Sequence, residues 1–366
     1  MTASESDFGG SPRFYNVHGF FLRVGFEDRP MLASLDRMLA PFACELQDAP
    51  ASAYELNLRR GTIDPRIPPH LRRVWHGVLT DGPTLGYYGD ASCRVLLLEG
   101  VARLDIDLPR RRLNIVAAAG QEDLIAQCLY VPMLCVLLPA VGQFPVHAAA
   151  LARDQDGSAI LLAGLSERGK TTSSLALAHS GLRLMTDDTC FVLECKDGCR
   201  GHGVCDPASP ERGRKHRGHG TQDLSPLGIW GLRRQCRVRA GTFDLLPWLG
   251  ALPRRKAPGD GPTLVELGDL WPASAARVRP EAIVLLDEPN PRGHLIEPVD
   301  KVFVCQELMR QNLHIVDPSA EGPAGAAMRM IARLVGQCST WRLSAGPNLG
   351  ELRSAIERVW PRSSSE

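Results

Sequence analysis

With 366 residues, 44% of them hydrophobic and 23% charged, the chain can bury one large core or two moderate ones. Its formal net charge of +1 gives no global attraction to nucleic acid or to an acidic membrane, so neither is expected as a partner. Eleven cysteines scattered along a chain whose first twelve residues are polar and acid-bearing fit reduced thiols and a cytoplasmic location.

The first unit is expected over residues 1–141 as a small α+β recognition domain. Residues 20–25 read as a strand, and Met31, Leu32, Leu35, Met38 and Leu39 recur at helical spacing. Residues 54–58 alternate as a strand does, 94–98 and 102–106 read as a hairpin, and 113–117 as a further strand. Residues 121–138 read as one long apolar helix leading into the second unit. Its most apolar run, Cys128 to Val141, holds Pro132 and Pro139 and is too short to span a bilayer, so it is expected to be buried.

The second unit, 142–366, reads as α/β with mixed pairing. Strands are expected at 147–152 and 158–163, a helix at 171–179 closed by Gly181, and strands at 182–185 and 190–194. Residues 195–225 are polar, basic and glycine-rich, and 254–262 are similar; both read as loops. A strand at 283–286 follows, then helices at 302–313, 324–338 and 349–360, with a strand at 340–343 before the last helix.

The chemistry concentrates where the 158–163 strand ends. Gly164-Leu165-Ser166-Glu167-Arg168-Gly169-Lys170-Thr171 has the form G-x-x-x-x-G-K-[ST], with Thr172 following, between a strand and a helix. Polyphosphate needs many donors at once, and the backbone N–H groups of such a turn and of the helix start supply them. Lys170 would add a point charge for the terminal phosphates, and the Thr171 hydroxyl would ligate Mg²⁺. ATP and Mg²⁺ are therefore the expected cofactors.

One helix and one turn later, Asp187 and Asp188 follow a strand. One carboxylate could hold the metal and the other accept a proton from an attacking hydroxyl. A rival pair, Asp287-Glu288-Pro289, follows the strand at 283–286 as in ABC-type ATPases. No signature like L-S-G-G-Q lies between loop and pair, so a strand ending in a solvated turn is the preferred reading there.

Phe144-Pro145-Val146-His147-Ala148, the glycine-rich loop and the strand ending Asp187-Asp188 together resemble the catalytic domain of the HPr kinase/phosphorylase superfamily, in order and in spacing. The match covers roughly residues 143–192 and is more similar to the branch that tailors peptides, including lasso-peptide kinases, than to HPr kinase itself. The resemblance implies an HPr kinase-like P-loop domain that phosphorylates a Ser or Thr hydroxyl of a peptide or small protein. It implies Asp187 as general base, Asp188 as the acid beside Mg²⁺, and His147 near the base and the γ-phosphate. The sequence departs from the family pattern at Glu167, where many members have glycine, and the E-x-R-G stretch of true HPr kinases is not evident. A nucleotide-binding accessory protein without transfer activity, and a kinase of small metabolites, stay open as alternatives, as does homo-oligomerisation.

Three weaker constellations remain. Cys195, Cys199, His202 and Cys205 could form a zinc site, though their spacing is not a standard knuckle. The basic run 211–219 could recruit an acidic peptide or be a solvated loop. Arg254 and Lys256 are expected to fold over the nucleotide and contact phosphate.

Overall fold

The computed structural model describes residues 11–360 except 28, 46, 47, 49, 80, 81, 154–156, 166, 196–224, 233, 234, 257–261, 269, 270, 272, 273 and 313–320. The fold is mixed α/β and holds two large mixed sheets and two small antiparallel ones among the described residues.

The chain opens with a hairpin, β1 (Arg13–Val17) and β2 (Phe20–Phe26), joined by His18 and Gly19. Both turn residues have positive φ, and Asn16 Oδ1 accepts the Gly19 N–H at 2.7 Å. Helix α1 (Arg29–Leu39) buries the five apolar residues that its periodicity picks out. Strands β3 (Tyr54–Arg60), β4 (Arg72–Val78), β5 (Thr84–Gly89), β6 (Cys93–Leu98), β7 (Ala102–Asp107) and β8 (Arg112–Ala117) complete an eight-stranded sheet, ordered β1-β2-β3-β8-β7-β6-β5-β4. The hairpin of β6 and β7 is as expected, whereas β4 and β5 carry charged or glycine residues that mask them and β1 is short and lacks a clear alternation.

The expected single helix over 121–138 is two. Helix α2 (Glu122–Cys128) and helix α3 (Tyr130–Leu137) meet at Leu129, whose φ of −122° leaves the helical range. Pro132 has no N–H to return to the Cys128 carbonyl, so the ladder is interrupted at this point. A 3-10 turn, Leu138–Val141, ends the segment at Gly142. Taken together, Glu122–Val141 is long and apolar enough to cross a membrane by length and composition, and more than half of its most apolar window is buried inside the fold.

The second unit begins with β9 (Phe144–Val146), β10 (Ala148–Ala152), β11 (Ser158–Ala163), helix α4 (Lys170–His179), β12 (Arg183–Thr186) and β13 (Cys190–Glu194). It continues through β14 (Leu227–Gly231), β15 (Cys236–Val238), helix α5 (Ala240–Leu245), β16 (Arg254–Lys256), β17 (Thr263–Val265), β18 (Arg279–Leu286) and β19 (Leu295–Pro298). Helices α6 (Lys301–Asn312) and α7 (Glu321–Gln337), strand β20 (Ser339–Ser344) and helix α8 (Leu352–Glu357) close it. The central sheet runs β12-β10-β11-β18-β20-β19, parallel at β11/β18 and β18/β20 and antiparallel elsewhere.

Alternation along the central strands sorts the core into two layers. Ala148, Ala150, Leu161 and Ile283 pack with Leu308 of α6 and Leu334 of α7. Ala149, Leu151, Ile160 and Val284 pack with Leu177 of α4 and Ile356 of α8. Two smaller sheets, β14-β13-β9 and β15-β17-β16, flank this layer. Two expectations need correction: residues 254–256 form a strand rather than a loop, because β17 offers them a partner, and the last helix is only α8 preceded by a 3-10 turn. Phe191, Leu193 and Trp230 join the core of the eight-stranded sheet, so the two units share apolar packing.

Candidate active site

Three consecutive strands deliver three functional segments to one edge of the central sheet. Strand β10 lies antiparallel between β11 and β12, so the start of β10 and the ends of β11 and β12 fall together. His147 immediately precedes β10, the glycine-rich loop follows β11, and Asp187 follows β12. His147 interrupts the strand predicted over 147–152; its backbone N–H donates to Asn312 Oδ1 at 2.6 Å, at the end of α6.

Gly164 lets the loop leave the sheet hard against β18. A Cβ there would stand 3.0 Å from the Leu286 carbonyl oxygen, at a φ of +155°. Glu167 and Gly169 both take left-handed backbone, with φ of +72° and +83°. For glutamate this conformation costs about 1 kcal/mol or more. The Glu167 carboxylate is ion-paired with Arg239, and that hydrogen bond holds it below the usual carboxylate range. Arg168 is likewise turned outward, 2.9 Å from Glu288. The pairing by Arg239 offsets the negative charge that Glu167 would otherwise present to an anion.

Lys170 is 8% exposed at the start of α4, and its Nζ donates to the carbonyls of Gly164 (2.6 Å) and Leu165 (3.3 Å). Burial lowers its pKa from the ordinary lysine value, with Asp188 acting in the opposite direction. The Thr172 hydroxyl lies 2.9 Å from that of Thr242 in α5, which fixes the first turn of α4 from outside. Ser166 lies outside the described residues, as do Cys199, His202, Cys205 and the basic run 211–219.

The two aspartates occupy different surroundings. Asp187 is 3% exposed, and its Oδ2 accepts the Cys236 thiol at 3.4 Å. Asp188 is more open; its Oδ1 is 3.3 Å from His147 Nδ1, and its Oδ2 accepts the Thr189 hydroxyl at 3.1 Å. His147, Glu167, Gly169, Lys170, Thr171, Thr172, Asp187 and Asp188 all line one cavity of about 590 Å³. That size falls within the ~300–1,000 Å³ of small-molecule sites.

The rival acids are elsewhere. Asp287 lies 3.8 Å from Arg342, Glu288 is paired with Arg168, and neither lines the cavity. Nor do Arg254 and Lys256. They sit on β16, in register with Cys236 and Val238 of β15, while Arg237 between those two faces the other side. Arg254 instead lies over the Phe243 ring, 5.5 Å from its centroid.

Besides Lys170, the cations that line the cavity are Arg237 and Arg239, which sequence reasoning missed. The signal was the alternation Arg237-Val238-Arg239, which puts two guanidinium groups on one side of a strand whose other side is core. The remaining wall comes from β4 to β6 and from α2 and α3, and no local motif marks it.

For a metal, no cluster of three or more His, Cys, Asp or Glu side chains occurs among the described residues. Mg²⁺ asks for less, because it binds through one or two carboxylates together with phosphate oxygens and waters. Thr171 and Asp188 offer hard oxygen donors to the same cavity, so the donor set fits that ion. No protein-family model matches the chain, and no curated protein matches it.

Proposed function

We propose that this chain is an ATP- and Mg²⁺-dependent kinase of the HPr kinase-like kind, transferring the γ-phosphoryl group to a Ser or Thr hydroxyl of a peptide or small protein. The observation that carries this reading is that one cavity is walled by the glycine-rich loop, by the buried Asp187 and by the His147–Asp188 pair. A hydroxyl is a weak nucleophile, so transfer needs a placed base and a phosphoryl group whose charge is neutralised. Asp187 takes the hydroxyl proton as the acceptor oxygen bonds to the γ-phosphorus and the bond to the ADP oxygen breaks. Lys170 and Arg239 face the phosphates. Thr171 and Asp188 would hold Mg²⁺, which when bound would supply charge neutralisation to the transferring phosphate. His147 fixes the orientation of Asp188.

The test is intact-mass spectrometry of the peptide encoded beside this gene, after incubation with the purified protein, ATP and Mg²⁺. A gain of one phosphate is expected. ATP binding with no phosphate on any peptide, protein or small hydroxyl acceptor would instead support an accessory protein.

Asp188→Asn should raise the Mg²⁺ concentration needed for half-maximal activity by about tenfold or more, the range for losing one ligand or its support. ATP binding without metal should hardly change. An unaltered Mg²⁺ titration would remove Asp188 from the metal site.

A further inference from the structure

The cavity has an apolar half that the transfer chemistry does not use. Trp75 on β4 is in register with Tyr87 on β5, and Tyr87 with Leu96 on β6, so the three form one row on one face of the sheet. Opposite them, Cys128, Val131, Pro132, Cys135 and Val136 recur at the spacing of a single helical stripe along α2 and α3. Two such faces would ordinarily close on each other; here they wall the same cavity as Lys170 and Asp187.

Two polar side chains at this end are already engaged. The Tyr87 hydroxyl accepts from Arg94 Nε at 3.1 Å, and Gln127 donates to Gln235 at 3.3 Å. The rest of this wall is mainly aliphatic and aromatic.

The packing also relates this half to the acids and to α4. His147 follows β9 and Thr189 precedes β13, in the small sheet whose Phe191, Leu193 and Trp230 belong to the core of the first unit. Thr172 and Thr242 belong to α4 and α5, and the core beneath α4 takes no residue from the first unit. The acids therefore lie toward the apolar half, and the start of α4 lies toward α5.

We infer that the apolar half holds the acceptor: a Ser or Thr hydroxyl carried in an aliphatic or aromatic stretch of peptide. The inference rests on the kinase reading and names its substrate class. In the step it serves, the acceptor O–H loses its proton to Asp187, the oxygen–phosphorus bond forms, and ADP leaves with the electrons of the broken phosphoanhydride bond.

The test compares two pentapeptide amides with a central serine, one flanked by leucine and phenylalanine, the other by glycine and asparagine. Binding and phosphate incorporation are measured on the full chain with ATP and Mg²⁺, and ATP affinity is measured separately. The apolar peptide should be preferred by about tenfold or more in kcat/KM, as expected for burying one or two side chains. Val136→Lys and Trp75→Ala, each checked for an unchanged melting midpoint, should remove that preference and leave ATP affinity within about twofold.

Equal use of both peptides would overturn the inference. So would a loss of ATP affinity in the two variants, which would assign the apolar half to the base. Failure of the apolar peptide to bind a protein that binds ATP would overturn it too. Binding of the apolar peptide that Val136→Lys abolishes, with no phosphate transferred, would support the apolar site while counting against the kinase reading.

Discussion

Asp187→Asn should lower the rate of phosphoryl transfer by about three orders of magnitude, within the roughly 10²–10⁴-fold that a positioned general base contributes. Asparagine has nearly the same shape, so the packing around a side chain that is 3% exposed is preserved. The Cys236 thiol can still donate to the amide oxygen in place of Oδ2. What is lost is basicity, because an amide cannot take the acceptor's proton. ATP affinity should stay close to that of the parent, since the groups that would hold phosphate belong to the loop, to α4 and to Arg239. Single-turnover kinetics together with ATP titration and a melting curve would check all three points. Near-normal turnover would mean that the proton leaves by another route, and the base assignment would be wrong.

Lys170→Ala should abolish measurable transfer and weaken ATP binding by about 10–100-fold, the equivalent of one charge-assisted hydrogen bond of roughly 1.5–3 kcal/mol. The ammonium is held inside the loop by the Gly164 and Leu165 carbonyls, where burial lowers its pKa. An incoming phosphate would compete with those carbonyls and would supply the negative charge they lack. Removing the amine therefore has two consequences, loss of a phosphate contact and loss of a brace within the loop. Titration with ATP and AMP separates them. If Lys170 acts on the terminal phosphates, ATP loses affinity and AMP loses much less. Equal losses for both would show that the amine serves the loop alone.

Arg239 links these two expectations. It pairs with Glu167 and lines the cavity, so it is placed to face the same phosphates as Lys170. That pairing also neutralises the Glu167 carboxylate within the loop. The pair is largely exposed, so it adds little to stability; its effect is on local charge.

The glycine-rich loop, the paired acids and the histidine ahead of them were readable from the chain because each lies within a few residues of its supporting strand or helix. The five apolar residues of α1 were readable for the same reason, as a local period of 3.6. Strands β15, β16 and β17 were not, since short polar segments become strands only when partners distant in sequence pair with them. Read as a loop, residues 254–256 offer Arg254 and Lys256 to the nucleotide; paired as β16 with β17, both stay outside the cavity.

By itself, then, the sequence determined the chemistry on offer: a phosphate-type loop, two carboxylates, an imidazole and their order. Tertiary structure decided which of these share a cavity. It placed β10 between β11 and β12, so that His147 and Asp187 arrive beside the loop, and it left Asp287 and Glu288 outside. It also chose the cavity's cations and opened an apolar half between the first sheet and the bend at Leu129. The division has one physical cause. Side-chain chemistry and periodicity are properties of a short stretch, whereas strand order and the closing of cavities depend on contacts between residues far apart in the chain.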